Sequence, residues 1–201
     1  MGWLFMRSLG GHATPKAYLD AQFTYEQPDG RSRVLASRLV GLRTYYAAVE
    51  HVAAGSSARE VWGLVCLVRY NPRDREGYVF GYKTMSESMG PVEDACPADV
   101  LDLLTPTDKT FALDWRARCR TRLAERRAIR AKPVPRPGQL VVFAAPIRFR
   151  NGRSFTRLRA VRFPGRARGL VFQAEDGGLY RIPGFKALDY AIAPASPPCP
   201  A

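Results

Sequence analysis

Glu60-Val61-Trp62-Gly63-Leu64-Val65-Cys66-Leu67-Val68-Arg69-Tyr70 is the stretch that decides how the N-terminal part of this chain folds. It is rich in Val and aromatic residues. Ala54-Gly55-Ser56-Ser57 bounds it on one side and Asn71-Pro72-Arg73-Asp74 on the other, so it reads as a strand. Past that turn, residues 78–85 alternate, with Tyr78, Phe80 and Tyr82 on one face and Val79, Gly81 and Lys83 on the other. Before it, residues 33–52 are again β-branched and aromatic. Their alternation is imperfect, and Gly41 marks a bulge or bend. Strands joined by short turns imply an antiparallel meander. Further upstream, Thr14-Pro15 is a helix start, a hydroxyl N-cap followed by Pro at the first helical position. Ala17, Tyr18, Ala21, Phe23 and Tyr25 continue that short helix, and Gln27-Pro28-Asp29-Gly30 turns the chain.

After residue 85 the character changes. Ser86-Glu87-Ser88-Met89-Gly90-Pro91 is a loop, and Cys96-Pro97-Ala98-Asp99 opens a short helix through Leu104. Thr105-Pro106-Thr107-Asp108 breaks it and caps a long helix over 111–131. Ala112, Trp115, Cys119 and Leu123 form its narrow apolar stripe. Pro133, Pro135 and Pro137 make a stiff linker. Beyond it, 140–143, 147–149, 155–163, 170–174 and 179–182 read as five short strands. Asn151-Gly152 and Asp176-Gly177-Gly178 are hairpin signals between them. Short strands with tight turns suggest a small barrel, and Pro137-Gly138-Gln139-Leu140-Val141-Val142-Phe143 resembles the opening strand of SH3-like barrels. The expected class is α+β: an antiparallel meander with helices in 1–132, then a small SH3-like barrel in 137–194 and a tail at 195–201.

Charge is distributed unevenly. The 201 residues carry a net +13. Residues 1–108 hold 11 Lys or Arg against 13 Asp or Glu, and residues 109–201 hold 20 against 5. Of the 31 basic residues 26 are Arg. GC-rich coding accounts for choosing Arg over Lys, but not for the asymmetry between the halves. Hydrophobic residues are 46% and charged residues 24%, a globular balance. No apolar run approaches the roughly 20 residues of a membrane helix. The N-terminus lacks the charged start and long apolar stretch of a secretory signal, so a cytoplasmic protein is expected. Cys66, Cys96, Cys119 and Cys199 form no CxxC pair; Cys66 and Cys119 read as small buried hydrophobes, and Cys199 in the Pro-rich tail reads as exposed.

Little points to a reaction. His12 and His51 are the only histidines, and no HExxH or phosphate-binding glycine loop is present. Glu87, Glu93, Asp94, Asp99 and Asp102 offer carboxylates for a divalent metal, as in phosphodiester cleavage. Solvated loop acids and helix N-terminal acids explain them equally. No cofactor is expected. The strongest signal is basic: Arg116, Arg118, Arg120, Arg122, Arg126, Arg127 and Arg130 on the long helix, then Arg148, Arg150, Arg153, Arg157, Arg159, Arg162, Arg166 and Arg168. Phe149, Phe155 and Phe163 are interleaved with the second group. If 155–163 alternates, Arg157, Arg159 and Arg153 share one face, and Thr156, Leu158 and Ala160 the other. Guanidiniums in a row suit phosphates, and nearby rings suit bases.

Leu67-Val68-Arg69-Tyr70-Asn71-Pro72-Arg73-Asp74, the stretch Phe80-Gly81-Tyr82-Lys83-Thr84-Met85-Ser86-Glu87-Ser88-Met89-Gly90-Pro91, Leu103-Leu104-Thr105-Pro106-Thr107-Asp108 and Trp115-Arg116-Ala117-Arg118-Cys119-Arg120 resemble an uncharacterised family of proteobacterial plasmid and phage accessory proteins. The resemblance covers about residues 60–122. It implies a mobile-element context, in which such proteins bind nucleic acid or block a host defence complex, and it brings no catalytic residue. The leading expectation is a non-enzymatic nucleic-acid-binding protein. The alternatives are a protein-interaction module docking on an acidic surface of a host defence or replication complex, and a metal-dependent nuclease using Glu87, Glu93 and Asp94.

Overall fold

The strand at 60–70 lies inside a six-stranded sheet whose two faces are both covered. The computed structural model describes residues 4–6, 9–70, 77–84, 92–163 and 170–193. It is a mixed α+β protein with two antiparallel sheets, divided into compact units of residues 1–125 and 126–201.

In the first unit the elements are β1 (Leu4–Met6), α1 (Pro15–Gln22), β2 (Tyr25–Gln27), β3 (Gly30–Val40), β4 (Thr44–Ala53), β5 (Glu60–Tyr70), β6 (Tyr78–Thr84) and α2 (Ala98–Leu101), followed by the start of α3 (Thr110–Ala131). The strand order is β1-β6-β5-β4-β3-β2, and every pair is antiparallel. Residues 33–52 are two strands, not one: Gly41 and Leu42 both take positive φ, 60° and 58°, and turn the chain between β3 and β4. Gly41-Leu42-Arg43 lacks the Asn-Gly or Asp-Gly signature of a hairpin, and Leu42 bears the left-handed conformation while 80% exposed. The first helix stops at Gln22, so Tyr25 belongs to β2, and α2 ends at Leu101.

Burial on both faces explains the near-continuous apolar run of β4. Tyr45, Ala47 and Val49 join Leu64, Cys66, Val68 and Phe80 under Tyr18, Leu19 and Phe23 on one face. On the other, Tyr46, Ala48, Val61 and Val65 pack under Val100, Leu101, Trp115 and Cys119. Trp115 is fully buried. A ring of that size is worth about 3–5 kcal/mol against Ala, and its indole N–H donates to the Glu93 carbonyl at 3.0 Å. Helix α1 begins as expected, with Thr14 Oγ1 accepting from the Ala17 N–H and Pro15 at the first position. Polar bonds hold it to the sheet: Asp20 Oδ1 accepts from Ser37 Oγ at 2.6 Å and from the Tyr45 hydroxyl at 2.7 Å. Burial raises the Asp20 carboxyl, but the bonds from Lys16, Ser37 and Tyr45 and the Lys16 charge outweigh it and hold the group below its ordinary range.

The apolar stripe of α3 is Ala112, Trp115 and Cys119, with Leu123 half-buried against the same core. At 100° per residue the same direction is next reached by Arg126 and Arg130. Beyond Leu123 the stripe therefore offers that core nothing apolar, and the first unit ends at Glu125, inside the helix.

The second unit contains β7 (Leu140–Arg148), β8 (Ser154–Arg162), β9 (Leu170–Gln173), β10 (Leu179–Tyr180), a 3-10 turn (Phe185–Ala187) and β11 (Tyr190–Ile192). Their order is β10-β9-β8-β7-β11, all antiparallel. Segments 140–143 and 147–149, expected as separate strands, fall on the single strand β7, which stops at Arg148 and leaves Phe149 just past its end. Pro146 sits where the β7–β8 register shifts, between Val142 and Ile147, as a bulge allows. The closing strand is β11, which the short Tyr-Ala-Ile segment did not announce. Both hairpin signals fold as read: Gly152 and Gly177 take φ of 81°, with Asn151 Oδ1 and Asp176 Oδ1 capping the turns. The proline segment is tied to this unit rather than free. The Tyr190 hydroxyl donates to Pro133 O at 2.6 Å, Lys132 Nζ to Leu188 O at 2.7 Å and Lys186 Nζ to Arg130 O at 2.6 Å.

Candidate nucleic-acid interface

Strand β8 decides which arginines face water. Leu158 and Ala160 point into the core with Val141, Phe143 and Phe172, so Arg157 and Arg159 point out, and both are exposed. The simple alternation holds only over this part. Near the register shift, which ends at the Ile147–Phe155 pair, Phe155 is half-buried against this core, and Thr156, expected on the Leu158 face, is exposed. Arg159 does not swing freely: its Nη1 donates to the Gly138 carbonyl at 2.9 Å. Arg153 is bound in an ion pair with Asp176, which joins the β7–β8 turn to the β9–β10 turn. Arg148, Arg150 and Arg162 are exposed. Among the described residues no carboxylate pairs with Arg148, Arg150, Arg157 or Arg162. Arg166 and Arg168 lie outside the described residues.

The helix arginines divide in the same way. Arg116 is half-buried and structural. Its Nη1 donates to Thr105 O at 2.7 Å, its Nε is buried with no partner among the described residues, and burial, helped by the Arg120 charge, lowers its pKa. Arg122 pairs with Asp94 at 2.5 Å. Arg118 and Arg120 are exposed in the first unit, and Arg126, Arg127 and Arg130 in the second. An open cleft of about 410 Å³ on the first unit is lined by Asp94, Ala117, Arg118, Thr121, Arg122 and Glu125. Two acids balance two bases there, so it has no preference for an anion.

Among the described residues the carboxylates do not assemble into a metal centre. Asp94 is taken by Arg122 and Asp99 by Arg38, at 2.5 Å each. Glu93 and Asp102 are exposed, and Glu87 lies outside the described residues. No group of three His, Cys, Asp or Glu suited to a metal occurs among the described residues. His51 Nδ1 lies 3.2 Å from Ser32 Oγ, but Ser32 is only 3% exposed. The thiols of Cys66, Cys96 and Cys119 are free and buried. Burial pushes Cys66 up to about 12, and raises Cys119 to about 11 against the bond from the Cys96 backbone, the opposite of an activated nucleophile. Cys199 lies outside the described residues. No helix among them is long and apolar enough to cross a membrane.

What sequence reasoning missed was the internal pairing of Arg116, Arg122 and Arg153. For Arg153 a signal existed, since Asp176 lies in the other Gly-containing turn, but only the sheet order puts the two turns at one end. No curated protein and no solved structure matches the chain. A family described as a domain of unknown function (DUF6927) matches residues 106–185, which take in α3 and strands β7 to β10.

Proposed function

We propose that this is a non-enzymatic nucleic-acid-binding protein whose C-terminal unit contacts phosphates through arginine. The observation that carries the reading is one of charge and pairing together. Residues 126–201 hold 15 Lys or Arg against 3 Asp or Glu. Asp176 is already committed to Arg153, while Arg148, Arg150, Arg157 and Arg162 are exposed and pair with no carboxylate among the described residues. A solvated guanidinium need break no ion pair to meet a phosphate, and its fork fits phosphate oxygens. The strand order, in which β11 returns beside β7 after a 3-10 turn, supports reading this unit as a small SH3-like barrel. The setting we infer, from the resemblance over residues 60–122, is that of a mobile-element accessory protein.

If those four arginines each meet one phosphate, log K falls against log salt with a slope of about −2.8 for a single strand to −3.6 for a duplex. Raising salt from about 50 to about 200 mM then weakens binding roughly 50- to 150-fold. Fluorescence anisotropy of the full chain with labelled DNA and RNA, titrated across that range, tests this. Arg157→Ala is expected to lower the slope by about 1. No complex with any nucleic acid at the low-salt end would overturn the proposal.

A further inference from the structure

From the contact between the two hairpin turns of the C-terminal unit we infer that Asp176 competes with phosphate for Arg153, holds it out of the interface and so limits how tightly the unit binds. This deepens the proposed reading and rests on it. Arg153 stands in the same turn as Arg150, just past Arg148 at the end of β7, and all three are exposed. Among the described residues Arg153 is the one of the three with a carboxylate partner, its Nη1 against Asp176 Oδ2.

The two turns are held by other means. In the first, the Gly152 N–H donates to Phe149 O at 3.0 Å, the Phe149 N–H to Arg153 O at 2.8 Å and the Arg153 N–H to Asn151 Oδ1 at 3.1 Å. In the second, the Ala174 N–H donates to Gly178 O at 2.9 Å and the Gly178 N–H to Asp176 Oδ1 at 2.8 Å. Between them the Tyr180 ring packs on Phe149 and Phe155, with centroids 4.3 and 5.1 Å apart. The ion pair adds little to this, because its side chains are 55% and 35% exposed and a solvated pair is weak. The bond to Gly178 needs a side-chain oxygen and not a charge, so Asp176→Asn keeps it. What the charge itself does is cancel the Arg153 guanidinium. Asp176 is fixed by its bond to Gly178, so a phosphate that took Arg153 would be left beside a like charge held in place. The contact therefore removes one cation from a group of three.

The test is a salt titration of the full chain against labelled oligo-dT and a labelled DNA duplex. Wild type is compared with Asp176→Asn, Glu175→Gln, Arg153→Ala and the double variant Asp176→Asn/Arg153→Ala, with circular dichroism as the folding control. Asp176→Asn is expected to stay folded and to steepen the slope by about 0.7 on the single strand and about 0.9 on the duplex, the contribution of one more phosphate. Taken from about 1 M salt, that is about 8- to 15-fold tighter binding at about 50 mM and about 3- to 4-fold at about 200 mM. Glu175 is the exposed acid next to Asp176 and pairs with no base among the described residues, so Glu175→Gln removes the same charge but releases no guanidinium and is expected to leave the slope unchanged. Arg153→Ala alone is also expected to leave it unchanged, and the double variant to return to the wild-type slope. A slope that Asp176→Asn leaves unchanged, or that Glu175→Gln steepens as much, overturns the inference while the proposed function stands. A slope that Arg153→Ala alone lowers by about 1 also overturns it, because Arg153 then already meets a phosphate. Loss of the native spectrum in Asp176→Asn overturns it as well, in favour of a structural ion pair. Absence of salt-sensitive binding by the wild type overturns the inference and the proposed function together.

Discussion

Replacing Asp20 by Ala isolates the bonds that fasten α1 to the sheet. Asp20 Oδ1 accepts from Ser37 Oγ and the Tyr45 hydroxyl, and Oδ2 from Lys16 Nζ at 2.5 Å. The three donors are not equivalent. Lys16 keeps 40% of its side chain exposed, so it returns to water, and its i,i+4 pair is worth only about 0.3–0.5 kcal/mol. Ser37 is 4% exposed and Tyr45 0%, so neither hydroxyl reaches solvent when its acceptor goes. Each stranded donor costs about 1–3 kcal/mol. Asp20→Ala is therefore expected to cost about 2–6 kcal/mol, most of it from the two hydroxyls. Tyr45→Phe alone loses a bond to a charged acceptor, about 1.5–3 kcal/mol. In the Asp20→Ala background the same change removes a stranded donor and is expected to be neutral or stabilising. Urea denaturation followed by tryptophan fluorescence reads this directly, because all three Trp lie in residues 1–125. A double-mutant cycle should give a coupling energy above about 1 kcal/mol. Costs that add within about 0.5 kcal/mol would refute the reasoning.

Three further outcomes follow from the same packing. Asp20 titrates below its unfolded value, so its contribution is present above about pH 4 and lost as pH falls through the folded pKa; the acid limb of a stability-versus-pH curve should be shallower in Asp20→Asn than in wild type, and identical limbs would count against the network. With Cys199 changed to Ser, native protein should react with a thiol reagent at pH 8 only as fast as it opens, because Cys66, Cys96 and Cys119 are buried and their thiols raised; rapid stoichiometric labelling would contradict this. Gly30 has φ of 150°, and a Cβ there would stand 2.6 Å from Val52 O, so Gly30→Ala should destabilise by about 1–3 kcal/mol, with an unchanged urea midpoint as the contrary result.

Much of the local structure was legible because its causes are local. Thr14-Pro15 started a helix and Asn151-Gly152 a hairpin, since capping and positive φ depend on a few neighbouring residues. The stripe Ala112, Trp115, Cys119 and Leu123 faced the core as its spacing required. The β3–β4 hairpin was hidden because Leu42, a residue with no preference for positive φ, carries half of the turn. The return of β11 beside β7 was hidden because three residues hold too little pattern to outweigh their surroundings.

By itself the sequence determined an α+β protein with antiparallel pairing and a C-terminal excess of arginine, because periodicity and charge are properties of the chain. Only the tertiary structure decided which arginines are available. Arg116, Arg122 and Arg153 look in sequence just like Arg150 or Arg157, yet burial under Thr105 and pairing with Asp94 and Asp176 use them up. Whether a guanidinium is free depends on what lies within a few ångströms of it. Those neighbours come from segments up to 28 residues away along the chain, and only folding brings them there.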